Sequence, residues 1–201
     1  MDSSHEAPDL PQDGALEPTA KLLDRVLAGE DSARERLAAR FLPLLKRWAK
    51  GRLPAAARGA LDTDDLVQLT LVRALDHVGE FRSRREGAFL AYLRRTLLNM
   101  IRDELRKASL RPGPESLSEV HLLDKAPSGL EQAIRLEAME SYEAALASLS
   151  EIQKEAVVLR LEFGFSYERI AEAVGSPSAN AARMIVSRAL VKLSEALHEH
   201  G

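Results

Sequence analysis

The chain has 201 residues, of which 45% are hydrophobic, 29% charged and only 4% aromatic, and it contains no cysteine. The length fits one large domain or two small ones. The missing cysteines exclude disulfides, thiolate zinc sites and thiol redox switches within the chain, and suit a reducing cytoplasm. A net charge of −3 excludes a uniformly basic nucleic-acid binder, so any such role must rest on local charge.

Residues 1–18 carry Asp2, Glu6, Asp9, Asp13 and Glu17 with no Lys or Arg, and read as a disordered acidic tail rather than a signal peptide. No apolar run approaches the roughly 20 residues that span a bilayer, so no membrane insertion is expected. With so few aromatics, cores must be built from Leu, Ala, Val and Ile, which favours helix packing. A first helical block is predicted over 19–107. Thr19 is a candidate N-cap for a helix carrying Leu22, Leu23, Val26 and Leu27. Asp31 is a candidate cap for a longer one with Leu37, Phe41, Leu44, Leu45 and Trp48 at helical spacing, which Pro43 should kink or split. Asp62 or Thr63 caps a third helix through Leu66, Val67, Leu71 and Leu75. A basic loop follows Gly79. A fourth helix then aligns Phe89, Tyr92, Leu93, Leu97, Met100, Ile101 and Leu105. Residues 108–127 break the periodicity with Pro112, Gly113, Pro114, Ser116 and Pro127, and read as a linker.

The second block, 128–197, has strong start signals. Ser128 with Glu131 and Ser150 with Gln153 have capping-box spacing. Helices are expected at 150–162, 166–174 and 177–197, with Gly175 as a stop and Pro177 in the next first turn. A short helix, a Gly-containing turn and a longer helix make a helix-turn-helix. Ile170, Ala171 and Val174 face Ala182, Ile185, Ala189 and Leu193. The other side of the last helix carries Asn180, Arg183, Met184, Ser187 and Arg188, where Asn and Arg can pair with base edges. Ser178 at the helix start suits a phosphate. The plainer reading is a helical hairpin with a solvated face.

In the first block, Asp62, Asp64 and Asp65 crowd one helix start. A carboxylate site for cyclising a hydrophobic substrate is rejected, because this aromatic-poor chain is too small to line such a cavity. Matching of the helix dipole remains, as does a protein-binding face in which Asp65, Gln68 and Val72 meet a basic partner helix. From Arg82 to Arg111 there are nine cations against three acids. Arg94, Arg95, Asn99 and Arg102 are placed on the exposed side of the fourth helix, with Phe81 before it. Cations, an amide and an aromatic suit an unstacked single strand, though a solvated face would look the same. The five histidines are scattered and His198 with His200 is read as inert. No catalytic, metal or cofactor motif is found, so an enzyme is not expected.

Three segments in this order resemble bacterial RNA polymerase sigma factors of the extracytoplasmic-function (ECF) type. DTDDLVQLTLVRAL and FRSRREGAFLAYLRRTLLNMIRDELRK resemble sigma region two, and the stretch from LASLSEIQKEAVVL through SRALVKL resembles region four. The resemblance implies an all-α fold of two small domains joined by a flexible linker, the second a helix-turn-helix. It implies a cytoplasmic protein that binds core RNA polymerase through the β′ clamp helices at Asp64, Asp65, Val67, Gln68 and Val72, and through the β-flap with the second block. It implies minus-ten promoter contacts from Phe81, Arg82, Arg84, Arg85, Arg95, Asn99, Arg102 and Arg106. Minus-thirty-five contacts would come from Ser178, Asn180, Arg183, Met184, Ser187 and Arg188. An anti-sigma factor is a further partner that the resemblance allows. Leu69 stands where the family has an acid, Tyr92 where Trp is common, Arg183 where Lys is usual and Ile185 where Arg is frequent. The turn 175–180 is one residue longer than the commonest form. Two readings from other classes stay open on the residues alone. One is a helix-turn-helix regulator that works without polymerase, which leaves the first block without a role. The other is a helical adaptor with no DNA role.

Overall fold

The computed structural model describes residues 17–50, 52, 61–83, 85–109 and 129–199. The acidic tail up to residue 16, most of the linker, Arg84 and the Ser128 capping signal lie outside the described residues. Among the described residues the secondary structure is entirely helical. In the first block α1 spans Thr19–Leu27, α2 Asp31–Ala49, α3 Thr63–Asp76 and α4 Glu86–Ser109, with a 3₁₀ turn at Val78–Glu80 between the last two. In the second, α5 spans Gly129–Ala147, α6 Glu151–Leu161, α7 Tyr167–Val174 and α8 Ala179–Glu199.

Local chemistry sets several of these starts. Asp62 caps α3 in a reciprocal box: its carboxylate accepts the Asp65 N–H at 2.9 Å, and the Asp65 carboxylate accepts the Asp62 N–H at 3.0 Å. Ser150 and Gln153 do the same for α6. The first two caps differ from expectation. Pro18 precedes α1, and Thr19 is its first residue; the Thr19 hydroxyl instead donates to Glu86 and accepts from Arg40. Glu30, whose carboxylate accepts from Arg25 rather than from the helix start, precedes α2. Pro43 does not split α2, which continues to Ala49. Phe41, Leu44, Leu45 and Trp48 on that helix are all buried, and their packing outweighs the roughly 3 kcal/mol that an interior proline costs.

The apolar stripes meet as the periodicity predicts, with two shifts. Phe41 and Phe89 pack edge to face at 5.2 Å, joining α2 to α4 beside Leu66, Leu93 and Leu97. Leu27, expected inside, is exposed. In α8 the core residue is Val186, at 1% exposure, with Ile185 only half-buried. The helix is rotated slightly from the expected face, because α5, α6 and α7 all press on it.

Gly175 shapes the helix-turn-helix corner. It ends α7 in the left-handed region at φ 70°, and the Ser176 N–H reaches back to the Ala171 carbonyl at 2.8 Å. Pro177 lies in the turn, not in the helix. Ser178 starts α8, its hydroxyl accepting the Ala181 N–H at 3.2 Å. A methyl group at Gly175 would meet only Arg85 Cδ, at 3.9 Å. Gly175→Ala therefore tests backbone strain alone. It should lower stability by about 1–2 kcal/mol, read as a lower urea midpoint with unchanged slope. An unchanged midpoint would mean that the corner tolerates another conformation.

The two blocks share one core. Helix α4 packs on α6 and α7 as well as on its own block. The packing is tight at Gly87, where an added Cβ would lie 3.1 Å from the Ala173 carbonyl oxygen and 3.1 Å from Leu159 Cδ1.

Candidate polymerase and nucleic-acid interfaces

Helix α3 presents an open face. Asp64, Asp65, Gln68 and Val72 are exposed, and Asp65, Gln68 and Val72 follow one another at intervals of three and four along one side. Asp64 pairs with Lys46 at 2.6 Å. Val67 is a correction: it is 0% exposed and belongs to the core behind this face, so it offers no surface to a partner. The helix packs chiefly on α2 and α4, and among the described residues its outer side stays exposed.

The outer face of α8 is the second surface. Asn180, Arg183, Met184, Ser187 and Arg188 are all exposed, as is Ser178 before them. Arg183 Nη2 donates to Asn180 Oδ1 at 3.3 Å, a contact long enough to yield to a base edge. Lys192, one turn beyond Arg188, is also exposed. Its i+4 spacing from Arg188 is the sequence signal that extends the row to it. Met184 borders an open apolar groove with Ile152, Val174, Pro177 and Ile185. That environment suits an apolar contact better than a phosphate.

The third surface, on and before α4, is only partly open. Arg82, Arg95 and Asn99 are exposed. Phe81 is half-buried, its ring 5.4 Å from both Phe89 and Tyr92. Arg85 makes a paired contact with Glu155 of α6, Nε to Oε2 at 3.2 Å and Nη2 to Oε1 at 2.5 Å. That hydrogen bond raises the Arg85 pKa against a smaller desolvation effect. Arg102 Nη2 donates to the Met139 carbonyl of α5 at 3.0 Å, and Arg106 lies 3.6 Å from both Asp103 and Glu140.

Arg94 is the larger correction. The stripe placed it on the exposed side, but it is 5% exposed and sits between the two blocks. Its guanidinium contacts Glu143 of α5, and its Nε donates to Glu162 Oε2 at 2.8 Å. The same Glu162 carboxylate accepts Trp48 Nε1 at 2.7 Å and the Tyr142 hydroxyl at 3.1 Å. Burial alone would lower the Arg94 pKa, but Glu162 and Glu143 more than offset it, so the charge is fixed. Burial and then Glu162 push the Tyr142 phenol well up, which keeps it a donor.

Comparisons with known proteins match both blocks. The family profile described as Sigma-70 region 2 matches residues 37–111, and the profile described as Sigma-70, region 4 matches 139–193. The ECF RNA polymerase sigma factor EcfG of Rhodopseudomonas palustris is 36% identical over 139 residues, covering 69% of this chain and 72% of that protein. The ECF RNA polymerase sigma factor SigD of Mycobacterium tuberculosis is 29% identical over 171 residues, covering 84% of this chain and 79% of that one. Among solved structures, CnrH in complex with the cytosolic domain of CnrY matches with a TM-score of 0.41 and 26% identity, over 92% of this chain and 100% of that chain.

Proposed function

The chain belongs to the ECF RNA polymerase sigma factors, and from that premise we propose how its surfaces divide the work. As a sigma factor it directs promoter recognition in transcription initiation, with RNA polymerase and promoter DNA as partners. A regulator acting without polymerase, or an adaptor with no DNA role, leaves one of the two matched blocks unexplained.

In this reading residues 19–107 act as region two, 108–127 as the linker and 128–197 as region four. The exposed Asp64, Asp65, Gln68 and Val72 dock on the β′ clamp helices, with Val67 supporting them from the core. Arg82, Arg84, Arg85, Arg95, Asn99, Arg102 and Arg106 hold the minus-ten strand, and Phe81 takes an extruded base, for which it must leave its packing on Phe89 and Tyr92. Flipping a base costs a few kcal/mol, offset by stacking and edge contacts. Asn180, Arg183, Ser187 and Arg188 enter the major groove at the minus-thirty-five element. Ser178 and Lys192 hold phosphates, and the second block also touches the β-flap. Binding is the whole of this activity and no residue is assigned a catalytic step or a cofactor. No described helix is long and apolar enough to cross a membrane, and the site of action is the cytoplasm, where an anti-sigma factor is the natural control.

The observation that carries this division is that one chain holds an uncovered α3 face and an outward Asn–Arg row on α8. Reconstitution with core polymerase tests it. The chain should form a stable complex and direct run-off transcripts with defined start sites from genomic fragments. No complex at low salt with promoter DNA present would overturn it.

A further inference from the structure

The outward row of α8 has one member without a role in the division above. Asn180, Arg183, Ser187 and Arg188 are polar and suit base edges, but Met184 stands among them and is 41% exposed. At about 100° per residue, Met184 lies about 40° round the helix from Asn180 and about 40° from Arg188 on the other side. The approach that brings those two side chains to a duplex therefore brings the methionine too. Met184 takes no part in the core, where Ala182, Val186 and Ala189 hold the buried side of the helix. It borders the open groove lined by Ile152, Val174, Pro177 and Ile185. The thioether thus joins an apolar rim to the base-reading row.

A single methionine on an ordinary surface needs no explanation. In the middle of a row that enters the major groove it must meet something. Guanine, adenine and cytosine present only donors and acceptors there, and thymine alone adds an apolar group, its C5-methyl. A methionine pressed over a polar edge leaves that donor or acceptor unpaired. Over the methyl group it leaves none unpaired and takes apolar surface of both partners out of water. Its unbranched, polarizable chain can settle on a methyl whose position is set by the neighbouring contacts.

We propose that Met184 is a specificity-determining residue, which reads thymine in the minus-thirty-five element by packing on its C5-methyl group. This role rests on the reading of α8 as the minus-thirty-five face. Asparagine favours adenine and arginine favours guanine, so thymine is a base that the polar members of the row leave unread. Four residues of helix rise about 6 Å and base pairs stack about 3.4 Å apart. The thymine should then lie within about two base pairs of the one that Asn180 contacts.

The test is run-off transcription by the full chain with core polymerase, from a mapped promoter at fixed salt. Each thymine of the minus-thirty-five element, on either strand, is replaced singly by deoxyuridine, which keeps the pairing and lacks only the methyl group. One such template should lose about fourfold with the parent chain, the factor equivalent to about 0.8 kcal/mol for one buried methylene-sized group. Met184→Ala should lose about fourfold or more on the natural template and nothing further on that deoxyuridine template. Met184→Leu keeps an apolar contact and should retain both the activity and the sensitivity to the methyl group. Core binding and melting temperature should not move in either variant, because the side chain is exposed. Deoxyuridine templates that all transcribe like the natural one would overturn the proposal, as would an element without an A·T pair. A methyl effect that survives in full in Met184→Ala would give the thymine to another residue and overturn it as well. Loss of core binding in Met184→Ala would assign the groove rim to a protein contact instead. Arg183→Ala on the natural template separates these failures from failure of the underlying reading. If it loses transcription while every deoxyuridine template stays active, only the assignment of Met184 falls. If neither Arg183→Ala nor Met184→Ala loses transcription, α8 is not the minus-thirty-five face, and the role of Met184 falls with it.

Discussion

Arg183→Ala should reduce promoter-specific transcription by about 5- to 150-fold while leaving assembly with core polymerase unchanged. The range follows from the roughly 1–3 kcal/mol that one bidentate arginine–guanine contact contributes to discrimination. Arg183 is well placed for a clean test. It is exposed near the start of α8, and Asn180 at 3.3 Å is the side chain it is bonded to. Truncation therefore opens no cavity and buries no charge, and stability should move by no more than about 0.5 kcal/mol. Run-off transcription from a mapped promoter at fixed salt reads the first quantity, and a core-binding titration reads the second. Lys192→Ala provides the contrast. A phosphate contact carries no sequence information, so this change should weaken all promoters alike and reduce the salt slope by about one unit. Equal loss of core binding and transcription in Arg183→Ala would indicate a folding defect. No loss of transcription would remove Arg183 from the base-reading set.

What could be read in advance divides by range along the chain. The Asp62 cap, the Ser150/Gln153 box and the stop at Gly175 rest on groups a few residues apart, and all stand in the structure, where Asp65 completes a box with Asp62 that was not foreseen. Where packing decides, sequence was a weaker guide. Pro43 gave a local reason to break α2, and the burial of Phe41 and Trp48 overrode it. Val186 shows the same limit in a subtler form: it adjoins Ile185, which the stripe assigned to the core, and neighbouring helices settled the rotation. Val67 lay on the predicted apolar stripe and is buried, and only the resemblance put it at a partner contact. Arg94 was illegible for a stronger reason. An arginine among Arg95, Asn99 and Arg102 looks like surface, and its acceptors lie 68 residues on at Glu162 and in another helix at Glu143. Gly87 is similar: a glycine near a helix start suggests nothing until the Ala173 carbonyl is found against it.

Val72→Glu should weaken core polymerase binding by about 30-fold, the effect of losing roughly 2 kcal/mol at a central interface residue. Val72 is 54% exposed, an unusual place for a β-branched residue, and no described residue covers it. It lies four residues beyond Gln68 and seven beyond Asp65, so all three present one strip. Glutamate is the better helix former at this position, and the change should leave the melting temperature of the free chain almost unmoved. That separation of effects matters because the more obvious target is compromised. The Asp65 carboxylate accepts the Asp62 N–H and closes the capping box of α3. Asp65→Ala would therefore cost about 1 kcal/mol of helix stability in addition to any contact with polymerase. Asp65→Asn keeps an oxygen that can accept from Asp62 and removes only the charge. If α3 meets a basic helix of polymerase, Asp65→Asn should lower affinity more at low salt than at high salt, whereas the Val72→Glu defect should persist at both. Loss of affinity in Asp65→Ala with none in Asp65→Asn or Val72→Glu would assign the acid to capping alone and move the polymerase contact off this face.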